Sequence, residues 1–290
     1  MTTINARKTK IFLIFSLIVT LLAILCANPS ASASTPADVP TASPIEVVEP
    51  EVTESPVEET LPPEPFTIWK DGIYYESGIV EPSDVMAYTY LKPMTDNSEP
   101  KPLIVWLHGG GRKGLQTFYE SNYNLTHIVA DSELSHFDAY VISPVLYGDF
   151  YNEFWCKDVS ADYLRAVIDK FCSENNVDTE SIVVCGGSMG GQGTVYMAAN
   201  MDNYFCKAYI MSGYHVYDIH ADDFKMPVKG YVGKWDDEKS INYMKGLFRE
   251  VGEENLTILE SAKHSGVPKK AYNLDADGNG RSDLIEDMFG

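Results

Sequence analysis

Beyond residue 102 the chain carries six short apolar runs, "LIVWL" (103–107), "AYVIS" (139–143), "SIVVC" (181–185), "KAYIM" (207–211), "VKGYV" (228–232) and "LTILE" (256–260). Each is too short for a core helix, and as a set they lack the polar alternation of a half-exposed strand. Between them lie helical periods: Leu164, Val167, Ile168 and Phe171 recur at three and four, as do Ile241, Met244, Phe248 and Val251. Strands apolar on both sides, separated by amphipathic helices, require a mainly parallel sheet with helices on both faces. Ahead of them, "GIYYESGIV" and "VMAYTYLKP" alternate and are rich in Tyr and β-branched residues, which predicts an N-terminal antiparallel hairpin. The expected class is therefore α/β.

The N-terminal quarter has another character. Arg7, Lys8 and Lys10 precede an uncharged apolar run from Ile11 to Leu25, and Ala31-Ser32-Ala33 offers a small-x-small cleavage site. Residues 1–33 read as a secretory signal peptide. The run is short for a membrane span of about 20 residues. Lipid attachment at Cys26 is disfavoured by Leu25 before it. Residues 34–65 hold 8 Pro, 8 acidic and no basic residues, a composition that cannot bury enough apolar surface to offset its ordering entropy. It reads as a disordered, extended linker, either a spacer from a cell wall or membrane or a passive segment. Residues 66–290 are then the folded domain of a secreted or cell-surface protein.

The chain's net charge is −20; setting aside the leader's three cations and the linker's eight acids leaves −15 for the folded part. Nucleic acid and anionic lipid would both be repelled, so neither is an expected partner. Four cysteines follow the leader, Cys156, Cys172, Cys185 and Cys206. A domain of this size does not depend on disulfides, and Cys185, at the end of an apolar run, is expected to be buried and free.

In open α/β sheets the chemistry gathers where strands end, at the carboxyl edge, and every candidate residue falls there. Gly186, Ser188 and Gly190 in "GGSMGG" fit G-x-S-x-G between the strand "SIVVC" and the helix-like "GQGTVYMAANM". Such a turn stands the serine oxygen at a helix N-terminus as a nucleophile. The strand "LIVWL" runs into His108-Gly109-Gly110-Gly111, a glycine loop whose backbone amides suit a developing oxyanion. Gly110 or Gly111 would supply one donor and Met189 the other. In the order serine, acid, histidine, "GKWDDEKS" offers Asp236 or Asp237, with Asp236 preferred because it comes first after Gly233. A helix N-cap is the rival role for either. Of the six histidines only His264, in "SAKHSG", follows the acid.

These residues resemble the α/β-hydrolase fold family, and more narrowly its secreted serine esterases, such as the polyhydroxybutyrate depolymerases, feruloyl esterases and acetylxylan esterases. The likeness spans about residues 100–290, through "LIVWLHGGGRKG", "VDTESIVVCGGSMGGQG", "GKWDDE" and "KHSG". It implies acyl transfer through an ester on Ser188, with His264 as general base and Asp236 orienting it. "SDLIEDMFG" resembles the family's closing helix, although a tryptophan expected near Asp287 is absent. Prolyl-oligopeptidase-like peptidases share much of the pattern, so peptide cleavage stays open.

Between Ser188 and Asp236 the chain must fit a helix, a strand and "YHVYDIHADDF", which leaves no room for a helical lid and predicts an open site. The expected substrates are esters on polymers or bulky alcohols, such as plant polysaccharide esters. Tyr147, Tyr151 and Trp155 either line that cleft or pack at the surface.

Near the end, "DADGNGRSDLIE" places side-chain oxygens at positions 1, 3, 5, 9 and 12 of a twelve-residue calcium loop. These are Asp275, Asp277, Asn279, Asp283 and Glu286, with Gly280 at position 6. Calcium here would be structural, and catalysis requires no cofactor. The rival reading is an acidic turn capped by Ser282. A second class of function is accordingly a calcium-dependent surface or carbohydrate-binding module on a hydrolase scaffold without turnover.

Overall fold

The computed structural model describes residues 66–70, 73–78, 86–93, 98–110, 138–146 and 155–289. The leader, the linker, Gly111, Tyr147 and Tyr151 lie outside the described residues. All described residues belong to one compact unit, Glu58–Gly290.

Nine strands form one sheet: β1 (Phe66–Lys70), β2 (Ile73–Gly78), β3 (Ala87–Pro93), β4 (Lys101–Leu107), β5 (Tyr140–Val145), β6 (Val177–Gly187), β7 (Lys207–Met211), β8 (Val228–Trp235) and β9 (Leu256–Lys263). Their spatial order is β1-β2-β3-β5-β4-β6-β7-β8-β9. Strands β4 to β9 are parallel, whereas β1, β2 and β3 pair antiparallel, β3 with β5. The predicted hairpin is β2 and β3. The edge strand "FTIWK" was not foreseen, because five residues at the start of the folded region carry little pattern of their own.

The absence of alternation in the central strands has a direct cause. Leu103, Val105 and Leu107 of β4 join one buried cluster, while Ile104 and Trp106 join another, and β6 divides in the same way. The first cluster takes the buried faces of three helices, α1 (Asp158–Glu174), α2 (Met189–Asn200) and α3 (Glu238–Val251). The second takes Val267 and Ala271 of α4 (Val267–Ala271) and Leu284, Ile285 and Met288 of α5 (Asp283–Phe289). Helices therefore cover both faces, as the sequence pattern requires. Leu164, Val167, Ile168 and Phe171 of α1 are all buried. In α3 it is Met244, Leu247 and Phe248 that are buried, with Ile241 and Val251 half-buried against them.

Helix α5 is also tied to the sheet by charge. Asp287 accepts hydrogen bonds from Tyr209 Oη of β7 at 2.6 Å and Lys229 Nζ of β8 at 2.5 Å. Burial works against its charge, but these donors prevail and hold the carboxyl below its ordinary range. Cys156, Cys172, Cys185 and Cys206 are free thiols. Cys185 is fully buried, which pushes it up to about 12.

Candidate active site

The order β4-β6-β7-β8-β9 places the ends of five adjacent parallel strands along one edge, and the candidate residues follow those ends. Ser188 lies between β6 and α2 with φ 61° and ψ −119°. That is a sparsely populated region for a side-chain-bearing residue, and such strain persists only where the surroundings enforce it. The surroundings here are backbone packed against backbone. A Cβ on Gly190 would lie 1.8 Å from the Leu107 carbonyl oxygen, and one on Gly186 would lie 2.5 Å from the Gly190 oxygen. Glycine is therefore required on both sides of the serine, because α2 starts against the end of β4.

The three residues come together in a line. His264 begins a single 3-10 turn, His264–Gly266, directly after β9. Its Nε2 is 2.8 Å from Ser188 Oγ, and its Nδ1 is 2.5 Å from Asp236 Oδ1. A carboxylate only accepts, so Nδ1 carries the proton and Nε2 is left as acceptor for the serine hydroxyl. Asp236 Oδ1 also accepts from the Asp237 amide at 2.8 Å, and its Oδ2 from Ser212 Oγ at 2.5 Å. The Asp236 side chain is completely buried. Burial opposes its charge, yet these donors hold the carboxyl below the usual range. The hydrogen bond to Asp236 in turn raises His264 above an ordinary histidine, against the lowering effect of its own burial.

Asp237 takes the rival role. It is the N-cap of α3, its Oδ1 accepting from Ser240 N at 2.9 Å. It still lies 3.3 Å from His264 Nδ1.

Gly110 faces the Ser188 turn, its Cβ direction pointing at Met189 from 3.8 Å. Met189 is the first residue of α2, where a backbone N–H has no partner within the helix. The glycine loop is pinned by His108, which is 3 % exposed. Its Nε2 accepts from Leu146 N at 3.1 Å, so its Nδ1 carries the proton and donates to the Gly109 oxygen at 2.8 Å. Burial keeps this ring neutral, lowered to about 4. Trp155 is fully buried, its indole N–H donating to the His108 oxygen at 3.0 Å, so it packs beneath the loop and lines no cleft.

Two neighbours of the line were not foreseen, Ser212 and Tyr214. Tyr214 Oη donates to Asp237 Oδ2 at 2.6 Å and lies 3.2 Å from His264 Nε2. A signal existed: β7 lies between the strands bearing Ser188 and Asp236, so its exit residues 212–214 must stand between them.

In the terminal loop, carboxylate oxygens of Asp275, Asp277 and Asp283 lie within 4.8 Å of one another. Asn279 Nδ2 donates to Asp277 at 3.2 Å and to Glu286 Oε2 at 3.0 Å, so all five foreseen residues share one loop. Gly280 has φ 80°, the left-handed conformation that the sixth position of a calcium loop requires. The carboxylate oxygens around a tight turn suit a hard cation, while the Asn279 amide oxygen accepts from Arg281 N at 2.7 Å. Ser282 is buried and its Oγ accepts from Ile285 N at 3.4 Å, so the capped-turn feature is present as well.

No protein-family model and no curated protein matches the chain significantly. Solved structures do. A thermostable esterase is similar at 18 % identity and a TM-score of 0.55, over 78 % of this chain and 62 % of that one. S-formylglutathione hydrolase (FrmB) from Staphylococcus aureus is similar at 18 % identity and 0.52, over 71 % and 97 %. Dipeptidyl peptidase 4 from Porphyromonas gingivalis is similar at 16 % and 0.52, over 68 % of this chain and 34 % of that one. At these identities the likeness establishes the architecture, which is the α/β-hydrolase fold.

Proposed function

We propose that this α/β-hydrolase-fold chain is a serine hydrolase that cleaves carboxylic esters through an acyl-enzyme on Ser188. The observation that carries the reading is the unbroken Asp236–His264–Ser188 line, with contacts of 2.5 and 2.8 Å, at a strained turn on the carboxyl edge. A buried ionised carboxylate, a histidine with its proton fixed on Nδ1 and a serine aimed at Nε2 make up the arrangement that activates a hydroxyl.

In the proposed reaction His264 Nε2 takes the proton as Ser188 Oγ attacks the ester carbonyl. The oxyanion is held by the amide of Met189 and that of Gly110 or Gly111. His264 then returns its proton to the departing alcohol, leaving the acyl group on Ser188. Water repeats the sequence, with His264 as base, and frees the acid. Asp236 keeps the imidazole in one tautomer and stabilises it when charged.

For substrate we infer ester groups on polymers or bulky alcohols, such as plant polysaccharide esters. Support comes from the segment between β7 and β8, whose described residues contain a single 3-10 turn, Ala221–Asp223, and no lid helix. The leader-like N-terminus supports a secreted or cell-surface setting. Calcium at Asp275, Asp277, Asn279, Asp283 and Glu286 would be structural.

The test is hydrolysis of p-nitrophenyl acetate and methyl ferulate by the purified protein beside Ser188→Ala. Turnover that vanishes in the variant is expected. Equal activity on micellar triglycerides would contradict the substrate class. Fluorophosphonate labelling of Ser188 without ester turnover would move the reading to a peptidase, and neither labelling nor turnover to a non-catalytic binding module.

A further inference from the structure

The reaction above leaves the phenol of Tyr214 without a part, although it stands among the reacting atoms. Its ring centroid is 5.3 Å from that of His264. Its oxygen is 3.2 Å from the Nε2 that must take the serine proton.

A phenol has one proton, and the direction of that proton matters here. Donated to His264, it would occupy the lone pair that Ser188 needs and so quench the base. Donated to Asp237, it leaves that lone pair open and the oxygen's own lone pairs free on the side of Nε2. The geometry favours the second: the carboxylate contact is 2.6 Å against 3.2 Å, and an ionised acceptor draws the proton more strongly than a neutral one. Asp237 is itself held in place, its other oxygen capping α3 through Ser240 N.

We propose that Tyr214 and Asp237 are a proton-sorting pair beside the base, in which Asp237 holds the phenolic proton away from His264. While His264 is neutral, the pair keeps Nε2 an open acceptor. After the serine proton has moved to Nε2, the phenolic oxygen gives the imidazolium N–H a second acceptor until the proton passes to the leaving group. Both residues act through His264 and are positioning residues. The inference rests on the serine-hydrolase reading of the same site.

Replacing Asp237 by Asn provides a directional test. Asparagine caps a helix about as well as aspartate, so its oxygen stays on Ser240 N and its NH2 replaces Oδ2. That amide donates to the phenol, whose own proton must then turn to Nε2. Four proteins are compared, wild type, Tyr214→Phe, Asp237→Asn and the double variant. The readouts are the rate of Ser188 labelling by a fluorophosphonate and kcat for p-nitrophenyl acetate, both taken on the plateau above the titration of His264. The plateau matters because Asp236, Asp237 and Tyr214 all face that ring, and losing the Asp237 charge lowers its titration by itself.

The expected pattern is a loss of about tenfold in Asp237→Asn, a hydrogen bond's worth of competition, and a smaller loss in Tyr214→Phe. The double variant is expected to be faster than Asp237→Asn, at the level of Tyr214→Phe, because the misdirected proton is gone. Across pH, Tyr214→Phe should move the acid limb downward, since the imidazolium loses an acceptor. A double variant as slow as Asp237→Asn or slower would overturn the inference and leave the serine-hydrolase reading intact. Labelling that is absent in wild type, or that persists in Ser188→Ala, would remove that reading and the inference with it.

Discussion

Asp236 and burial pull the His264 ring in opposite directions, and the hydrogen bond prevails, so the ring titrates above the ordinary histidine value of 6.5. A general base works only when neutral. The expected outcome is that kcat/KM rises with pH through an acid limb lying above 6.5. In Asp236→Asn the ring loses both the charge and the acceptor that fixes its tautomer, so the limb should fall to lower pH and kcat should drop by on the order of 10⁴-fold. A limb at or below 6.5 in wild type, read from a pH series of initial rates, would separate the base from His264. The sequence order alone singled out His264 and narrowed the acid to two neighbours. The sequence already preferred Asp236, as the first acid after Gly233. The direction in which the chain leaves β8 gives the physical reason, turning Asp236 to the ring and Asp237 to the α3 N-cap. Tyr214 was invisible: nothing in "SGYHVY" marks chemistry, and its place depends on three strands lying side by side.

At the scale of elements, the glycines around the serine and those in helices answer to different physics. Gly190 has no room for a methyl group, since a Cβ there would lie 1.8 Å from the Leu107 oxygen. Gly190→Ala should therefore push α2 off β4, abolish turnover and lower the melting temperature together. Gly246, inside α3, meets nothing within 4 Å and has no positive φ. Its replacement by alanine should stabilise the protein by about 0.4–1 kcal/mol, because the unfolded chain loses freedom that the helix never used. Denaturant unfolding of the two variants checks both signs. The same contrast explains what was legible among the elements. Long buried strands and the apolar periods of α1 and α3 are set by burial, which a sequence displays. Strand β1 is short and lies at the edge, where pairing with β2 supplies what its own five residues do not, and α4 is a single turn completed by its packing in the second core cluster.

For the whole molecule the question is how a domain with so much negative charge tolerates four of its carboxylates in one short segment. Asp275, Asp277, Asp283 and Glu286 sit on a chain of net charge −20, and three of them bring oxygens within 4.8 Å of one another. Backbone amides of Ala276, Asn279 and Gly280 offset part of the repulsion. A divalent cation would offset far more, and the loop's position would carry that gain into the fold. It leads straight into α5, whose Leu284, Ile285 and Met288 complete the second core cluster and whose Asp287 is bonded to β7 and β8. Calcium bound there would thus stabilise the sheet's far strands and not the loop alone. A ligand at a hundred times its dissociation constant contributes about 2.7 kcal/mol, which for a domain of this size is a rise of roughly 5–10 °C in melting temperature. Melting curves with calcium and with a chelator should differ by that amount. In Glu286→Gln the difference should nearly vanish, because the bidentate twelfth position is the ligand such loops depend on most. Identical curves with and without calcium would make the segment the capped acidic turn instead, supported by Ser282, the backbone amides, the Asn279 side chain and Arg281.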